Sequence, residues 1–141
     1  MIIRNATSAD STGIAALITE LGYLSDVAAV PGRLHGLTSE RSTAAVVAEV
    51  DGRIVGLATA HAFYAIHVDH PTAYLTALIV SASQRQQGVG RVLVHHMESW
   101  ARGQGAVRLS LVTGVPRTDS HPFYERLGYT RTGYRYSKQL L

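Results

Sequence analysis

Three adjoining segments constrain this chain most: the run Tyr74-Leu-Thr-Ala-Leu-Ile-Val80, the loop Arg85-Gln-Gln-Gly-Val-Gly90, and an apolar stripe at helical spacing. The run carries no charge, the pattern of a strand buried on both faces at the centre of a sheet. Val89, Val92, Leu93, His96, Met97 and Trp100 lie three and four residues apart, which predicts an amphipathic helix ending near Gly103 or Gly105. Val107 to Val112 reads as the next strand. Strand, helix and strand in succession form a right-handed crossover with two parallel strands, so the fold needs a sheet covered by helices.

The rest of the chain fits around that unit. Ile2 to Arg4 is a short strand, and Thr7-Ser-Ala-Asp10 caps a helix with Asp10 as a shortened capping-box acid. Ile14, Leu17, Ile18 and Leu21 form its apolar stripe, and Gly22 ends it. Ser25 to Ser39 is expected to be a second helix broken by Pro31, Gly32 and Gly36. Ala44 to Val50 and Arg53 to His61 pair antiparallel through Asp51-Gly52, a strong hairpin signal, and Phe63 to Pro71 is a histidine-bearing loop. After Gly114 and Pro116, Thr118 or Asp119 caps a last helix through Phe123 and Leu127 to Gly128, and Tyr134 to Leu140 is expected to close the fold as a strand. The order β-α-α-β-β-β-α-β-α-β is a mixed α/β fold, read as one domain over residues 1–141.

Composition narrows the chemistry. Cysteine is absent, which removes disulfides, thiolate metal sites and a cysteine nucleophile. No apolar run approaches the roughly 20 residues of a membrane span, and the start lacks a signal-peptide pattern, so the expected location is cytoplasmic. A formal charge of +3 favours an anionic ligand but is too small to imply nucleic acid.

The Arg85–Gly90 loop sits between a strand and a helix start, where unpaired N–H groups and the positive end of the helix dipole favour an anion. Glycines at 88 and 90 let a backbone approach without Cβ atoms in the way, and a pyrophosphate is the natural guest. Gly90 is followed by Arg91-Val92 rather than Lys-Ser or Lys-Thr, so this is not a P-loop. Position 93 is leucine and no acid lies between Glu98 and Asp119, so the dinucleotide fingerprint fails too. Arg-x-x-Gly-x-Gly after an apolar strand instead resembles the acyl-CoA signature of the GNAT superfamily of N-acetyltransferases. His121-Pro-Phe-Tyr-Glu-Arg-Leu-Gly-Tyr129 is similar to a second segment of that family, Phe-Tyr-x-x-x-Gly-Phe.

The resemblance implies acetyl-CoA as co-substrate. Its arm would pair with the backbone of Leu78, Ile79 and Val80, where the 74–80 strand splays from 107–112. Its pyrophosphate would sit over Arg85, Gln86, Gln87, Gly88, Val89, Gly90 and Arg91, with Phe123 also in contact. It further implies direct transfer of acetyl to a primary amine, with Tyr124 as the acid for the departing thiolate. Two departures stand out. Arg117 occupies the family's usual asparagine place, so its CoA contact is an open role, and the 74–80 strand lacks the glutamate that activates water in many relatives.

The base is therefore open among Glu49, His61, His67, Asp69 and His70. Tyr23, Asp26, Glu40, Tyr64, His67 and Asp69 are expected to face the acceptor, a small-molecule amine for which an aminoglycoside-type antibiotic is the specific expectation. The histidines with Asp69 lack convincing ligand spacing, so no metal is expected. A protein or peptide acetyltransferase and a non-catalytic CoA-binding module remain the alternatives. A homodimer through the last strands is the expected assembly.

Overall fold

The computed structural model describes residues 1–113 and 120–141. These form two compact units, Met1–Ser110 and Leu111–Leu141. In chain order the elements are β1 (Ile2–Asn5), α1 (Ser11–Leu21), α2 (Val30–Thr38), β2 (Thr43–Val50), β3 (Arg53–Phe63), β4 (Thr72–Val80), α3 (Val89–Gly103), β5 (Leu109–Leu111) and α4 (Ser120–Arg126). The five strands form one mixed sheet in the order β1-β2-β3-β4-β5.

The hairpin turns as its sequence demands. Asp51 and Gly52 both take positive φ, 50° and 75°, the twist that lets β2 and β3 pair without splaying. Ahead of α1, the Asp10 carboxylate accepts the Thr7 N–H at 2.8 Å and two Arg4 bonds at 2.9 and 2.8 Å. Those Arg4 bonds, aided by the Thr7 N–H, hold the Asp10 carboxyl below its usual range. Gly22 ends α1 in the left-handed conformation, φ 112°.

Helices cover both faces of the sheet. Ile14 and Leu17 of α1 and Val30 and Leu34 of α2 pack with Ala45, Val47, Leu57 and Ile79 on one face. The other face receives α3, and at Gly56 the approach is so close that a Cβ there would lie 2.8 Å from Leu93 Cδ1 and 3.1 Å from Val89 Cγ1. The start of α3 is thereby pressed onto β3.

Three expectations need correction. Pro31 sits in the first turn of α2, where a missing N–H costs nothing, so it starts the helix; Gly32 and Gly36 lie inside it. The 74–80 run is not buried on both faces. Thr76 is exposed and Tyr74 and Leu78 are half-buried, because β4 carries a bulge and the apolar cluster beneath α1 and α2 stops short of Tyr74. The expected last strand, Tyr134 to Leu140, is irregular: residues 129–141 carry no regular structure and 131–141 are exposed. A β-prone segment becomes a strand only where a neighbour supplies the other half of its hydrogen bonds.

Candidate functional site

Past Val80 the chain stays on the sheet through Ser81 N–H to Val55 C=O, 2.8 Å, and makes a single 3-10 turn over Ala82–Gln84. Glu20, near the end of α1, accepts the Ala82 N–H at 3.0 Å, while Arg85 Nε donates to Val80 C=O at 3.4 Å. Gln86 and Gly88 then take positive φ, 63° and 84°, on either side of Gln87. For a glutamine that conformation costs about 1 kcal/mol and persists only when its surroundings require it. Gly88 is the N-cap of α3, and the first helical bond runs from Val92 N–H to Gly88 C=O at 3.1 Å. The N–H groups of Val89, Gly90 and Arg91 precede that bond and so point out of the helix end. A Cβ at Gly88 would meet nothing within 4 Å, so there is room over the loop. Arg85 and Arg91 are exposed beside it, whereas Val89 and Gly90 are buried against the sheet. An N-terminus with free N–H groups, two guanidinium groups and an open approach suits a pyrophosphate, and so fits the diphosphate of a CoA thioester.

The strand leading to this loop is irregular at its middle. Ala77 pairs with Thr59 and Leu75 with Ala60, leaving Thr76 as the extra residue of a β-bulge. The bulge turns the strand over: Ala73 packs with Trp100, Ala101 and Ala106 on the α3 face, whereas Ile79 packs beneath α1 and α2. Thr76 and Thr59 share a hydroxyl hydrogen bond of 2.7 Å at that point. Along its other side β4 meets β5, with Ala73 N–H donating to Arg108 C=O at 3.3 Å. Nine residues in β4 face only three in β5, so the Leu78–Val80 backbone outruns that neighbour among the described residues.

The expected site residues divide by location. Leu78, Ile79 and Val80 pair with Ala58, Leu57 and Gly56 and lead directly into the loop. His61 lies opposite Tyr74, two residues along β3 from Thr59 at the bulge, and its ring stacks on Phe63 and Tyr74. Glu49 is elsewhere: it lies on β2 opposite Ile2, receives Arg4 Nε at 3.4 Å, and lines a cavity of about 450 Å³ with Asp10, Gly13 and Arg53. The structure does not bring it to β4.

Tyr23 and Asp26 follow α1, whose end is tied to Ala82, while Tyr64, His67, Asp69 and His70 occupy the loop before β4. Asp26 caps the turn before α2 by accepting the Ala28 N–H at 3.1 Å, and Glu40 accepts Ser42 Oγ at 3.3 Å. Among the described residues no three His, Asp or Glu side chains gather as a metal site, and no helix is long and apolar enough to cross a membrane.

In the second unit, Tyr124 makes edge-to-face contacts with Phe123 and Tyr129, ring centroids 5.0 and 6.0 Å apart. Tyr129 N–H donates to Tyr124 C=O at 3.1 Å, closing α4 around Gly128 at φ 93°. Arg117 and the capping candidates Thr118 and Asp119 lie outside the described residues.

Sequence reasoning missed several neighbours of the site. Gly56 is found only by its close approach to α3, although the alternation Gly56, Ala58, Ala60, Ala62 does signal a face that admits a helix closely. Thr59, Thr76, Phe63 and Tyr74 become visible as one surface only when β3 and β4 are set in register.

The family model for the acetyltransferase (GNAT) family matches residues 19–129. An aminoalkylphosphonate N-acetyltransferase of Salmonella typhimurium is 30% identical over 98% of this chain and 90% of its own. Among solved structures, the aminoglycoside 6'-N-acetyltransferase AAC(6')-Ig of Acinetobacter haemolyticus has a TM-score of 0.81 at 21% identity over 99% of both chains. The aminoglycoside N-acetyltransferase AAC(6')-Iy, solved in complex with CoA, has a TM-score of 0.85 at 22% identity over 98% of this chain and 93% of that one. At such identities the structural likeness establishes the fold, and the family match carries the activity: this chain belongs to the GNAT family and is an N-acetyltransferase of that type.

Proposed function

We propose that this N-acetyltransferase uses acetyl-CoA as donor and acetylates a primary amine of a small molecule by direct attack, with residues 1–141 acting as one catalytic domain. The observation that carries the donor assignment is the start of α3, where Gly88 at φ 84° opens the first-turn N–H groups to solvent between Arg85 and Arg91. The donor supplies an activated acetyl thioester. The chain supplies the rest: backbone N–H groups from Gln86 to Arg91 for the diphosphate, the side of Leu78–Val80 that outruns β5 among the described residues for an amide-bearing arm, and Phe123 as an apolar contact. Tyr124 Oη is the proton donor to the leaving group, a role open to a phenol that is protonated at neutral pH. His61, two residues along β3 from Thr59 at the bulge, is the favoured acceptor of the amine's proton, since Glu49 is engaged by Arg4 two strands away from β4. Arg117 contributes a charge to donor or acceptor.

Two acceptor classes have support. The Salmonella relative, 30% identical over nearly the whole chain, favours an aminoalkylphosphonate. The fold neighbours, together with the ring surface beside His61, favour an aminoglycoside-type amine. The test has two steps: calorimetric titration with acetyl-CoA, then mass spectrometry of products across a panel of amines. We expect saturable binding, an acetylated product from one class, and turnover unchanged by a chelator. Absence of saturable heat sinks the donor assignment. The reading also takes the protein as cytoplasmic and homodimeric, the latter supported by the exposed Tyr134, Tyr136, Leu140 and Leu141 and checked by light scattering.

A further inference from the structure

Among the described residues, the sheet face beyond the bulge carries a half-exposed surface that the donor chemistry does not use. His61, Phe63 and Tyr74 have ring centroids 5.1, 5.6 and 6.1 Å apart, with planes inclined by only 19° to 29°. Three rings piled in one column would put the outer two about twice as far apart as neighbours, since stacked spacings are about 5 Å. The near-equal triangle means that they overlap like tiles and jointly offer a surface. Strand alternation puts the three rings on the same face as the Thr59–Thr76 pair. The apolar cluster beneath α1 and α2 includes Leu57 and Ile79 but ends before them, and Phe63 stays 38% exposed. On this face β3 and β4 contribute Leu57, Thr59, Thr72, Ala77 and Ile79 besides the rings, with no arginine or lysine among them.

We propose that the His61–Phe63–Tyr74 tile is the floor of the acceptor site and selects amines that rest a cationic, ring-bearing or polymethylene body on aromatic faces, against amines that carry a phosphonate. The inference rests on the proposed acetyl transfer and deepens it. The faces of the Phe63 and Tyr74 rings attract an ammonium ion and repel the negative charge of a phosphonate. The bulge beside the tile holds the amine where β4 turns toward the donor loop.

The experiment combines equilibrium and kinetic readings on the full chain. Aromatic 1H–13C resonances of Phe63 and Tyr74 are followed while the CoA-bound protein is titrated with an aminoglycoside, a polyamine and aminomethylphosphonate, and Phe63→Leu and Tyr74→Leu are assayed against the same amines. Expected are ring shifts with the cationic amines alone. A rise of about threefold to thirtyfold in acceptor KM is expected in each variant, the range of a cation–π contact, with kcat and acetyl-CoA affinity within twofold. Acetylation that proceeds without ring shifts, or acceptor KM values unmoved in both variants, overturns the tile and leaves acetyl transfer standing. Ring shifts without acetylation of any amine uphold the tile as a binding surface and overturn the transfer. Preference for aminomethylphosphonate overturns the proposed selectivity.

Discussion

The two ends of β4 are built on different principles. At the Val80 end the proposed binding elements are backbone: positive φ at Gln86 and Gly88, the first turn of α3, and the Gly56 contact that presses this helix onto β3. At the Thr72 end they are side chains: three aromatic rings on paired strands, and a loop whose Tyr64, His67 and Asp69 are exposed. A diphosphate is the same in every donor, so a site of main-chain N–H groups serves it in any sequence that supports the turn. An acceptor varies, and its recognition rests on side chains that exchange without disturbing the fold.

The comparison can be broken by substitutions at either end. The largest effect is expected for Tyr124→Phe, which removes a proton donor while keeping the rings that pack on Phe123 and Tyr129; kcat should fall about 100-fold or more with acetyl-CoA affinity within twofold. Steady-state kinetics beside calorimetry separates the two, and unchanged turnover would remove the role. Next comes Gly56→Ala, whose Cβ would press on Leu93 and Val89; unfolding in urea should show a loss of about 2 kcal/mol, together with weaker acetyl-CoA binding as the start of α3 is displaced. Gly88→Ala meets no obstruction, so its effect comes from φ alone: about 1 kcal/mol, read as roughly a fivefold loss of donor affinity with acceptor KM unchanged. A variant that weakens acceptor binding instead would erase the division.

Asp10→Asn serves as the control away from both ends. The Asp10 carboxyl is held below its usual range chiefly by Arg4, so its contribution to stability is complete above the unfolded value of about 3.9 and is lost as pH falls through the lower folded value. Melting temperature against pH should therefore lose part of its acid limb in the variant, with a cost near neutrality of about 1 kcal/mol for the impaired cap. Both ligand affinities should stay as they are.

Local signals were reliable wherever the chemistry is local. Asp51-Gly52, Thr7 with Asp10, Gly22, and the 89–103 stripe each specify a turn, a cap, a stop and a helix from a few adjacent residues, and each occurs where the sequence puts it. Pro31 was misread because a proline breaks a helix interior but suits a first turn, and only the helix boundary distinguishes the two. The Tyr134–Leu140 segment has alternating character but needs a partner strand, and nothing in its own residues supplies one. Glu49 was one of five open candidates for the base, and strand order puts it two strands away from β4, beside Arg4, a placement that only strand pairing reveals.

The chain's own residues were enough to determine a strand, a glycine-bearing turn and an amphipathic helix in succession, and with them the family, because these follow from backbone conformations that particular residues impose on their immediate neighbours. Tertiary structure alone decided which face of β4 its residues occupy. The bulge at Thr76 shifts the alternation by one, sending Ala73 and Ile79 to opposite faces although they are an even number of residues apart. That shift, and the gathering of His61, Phe63 and Tyr74, depend on register between strands, a property of pairs of segments that neither segment carries by itself.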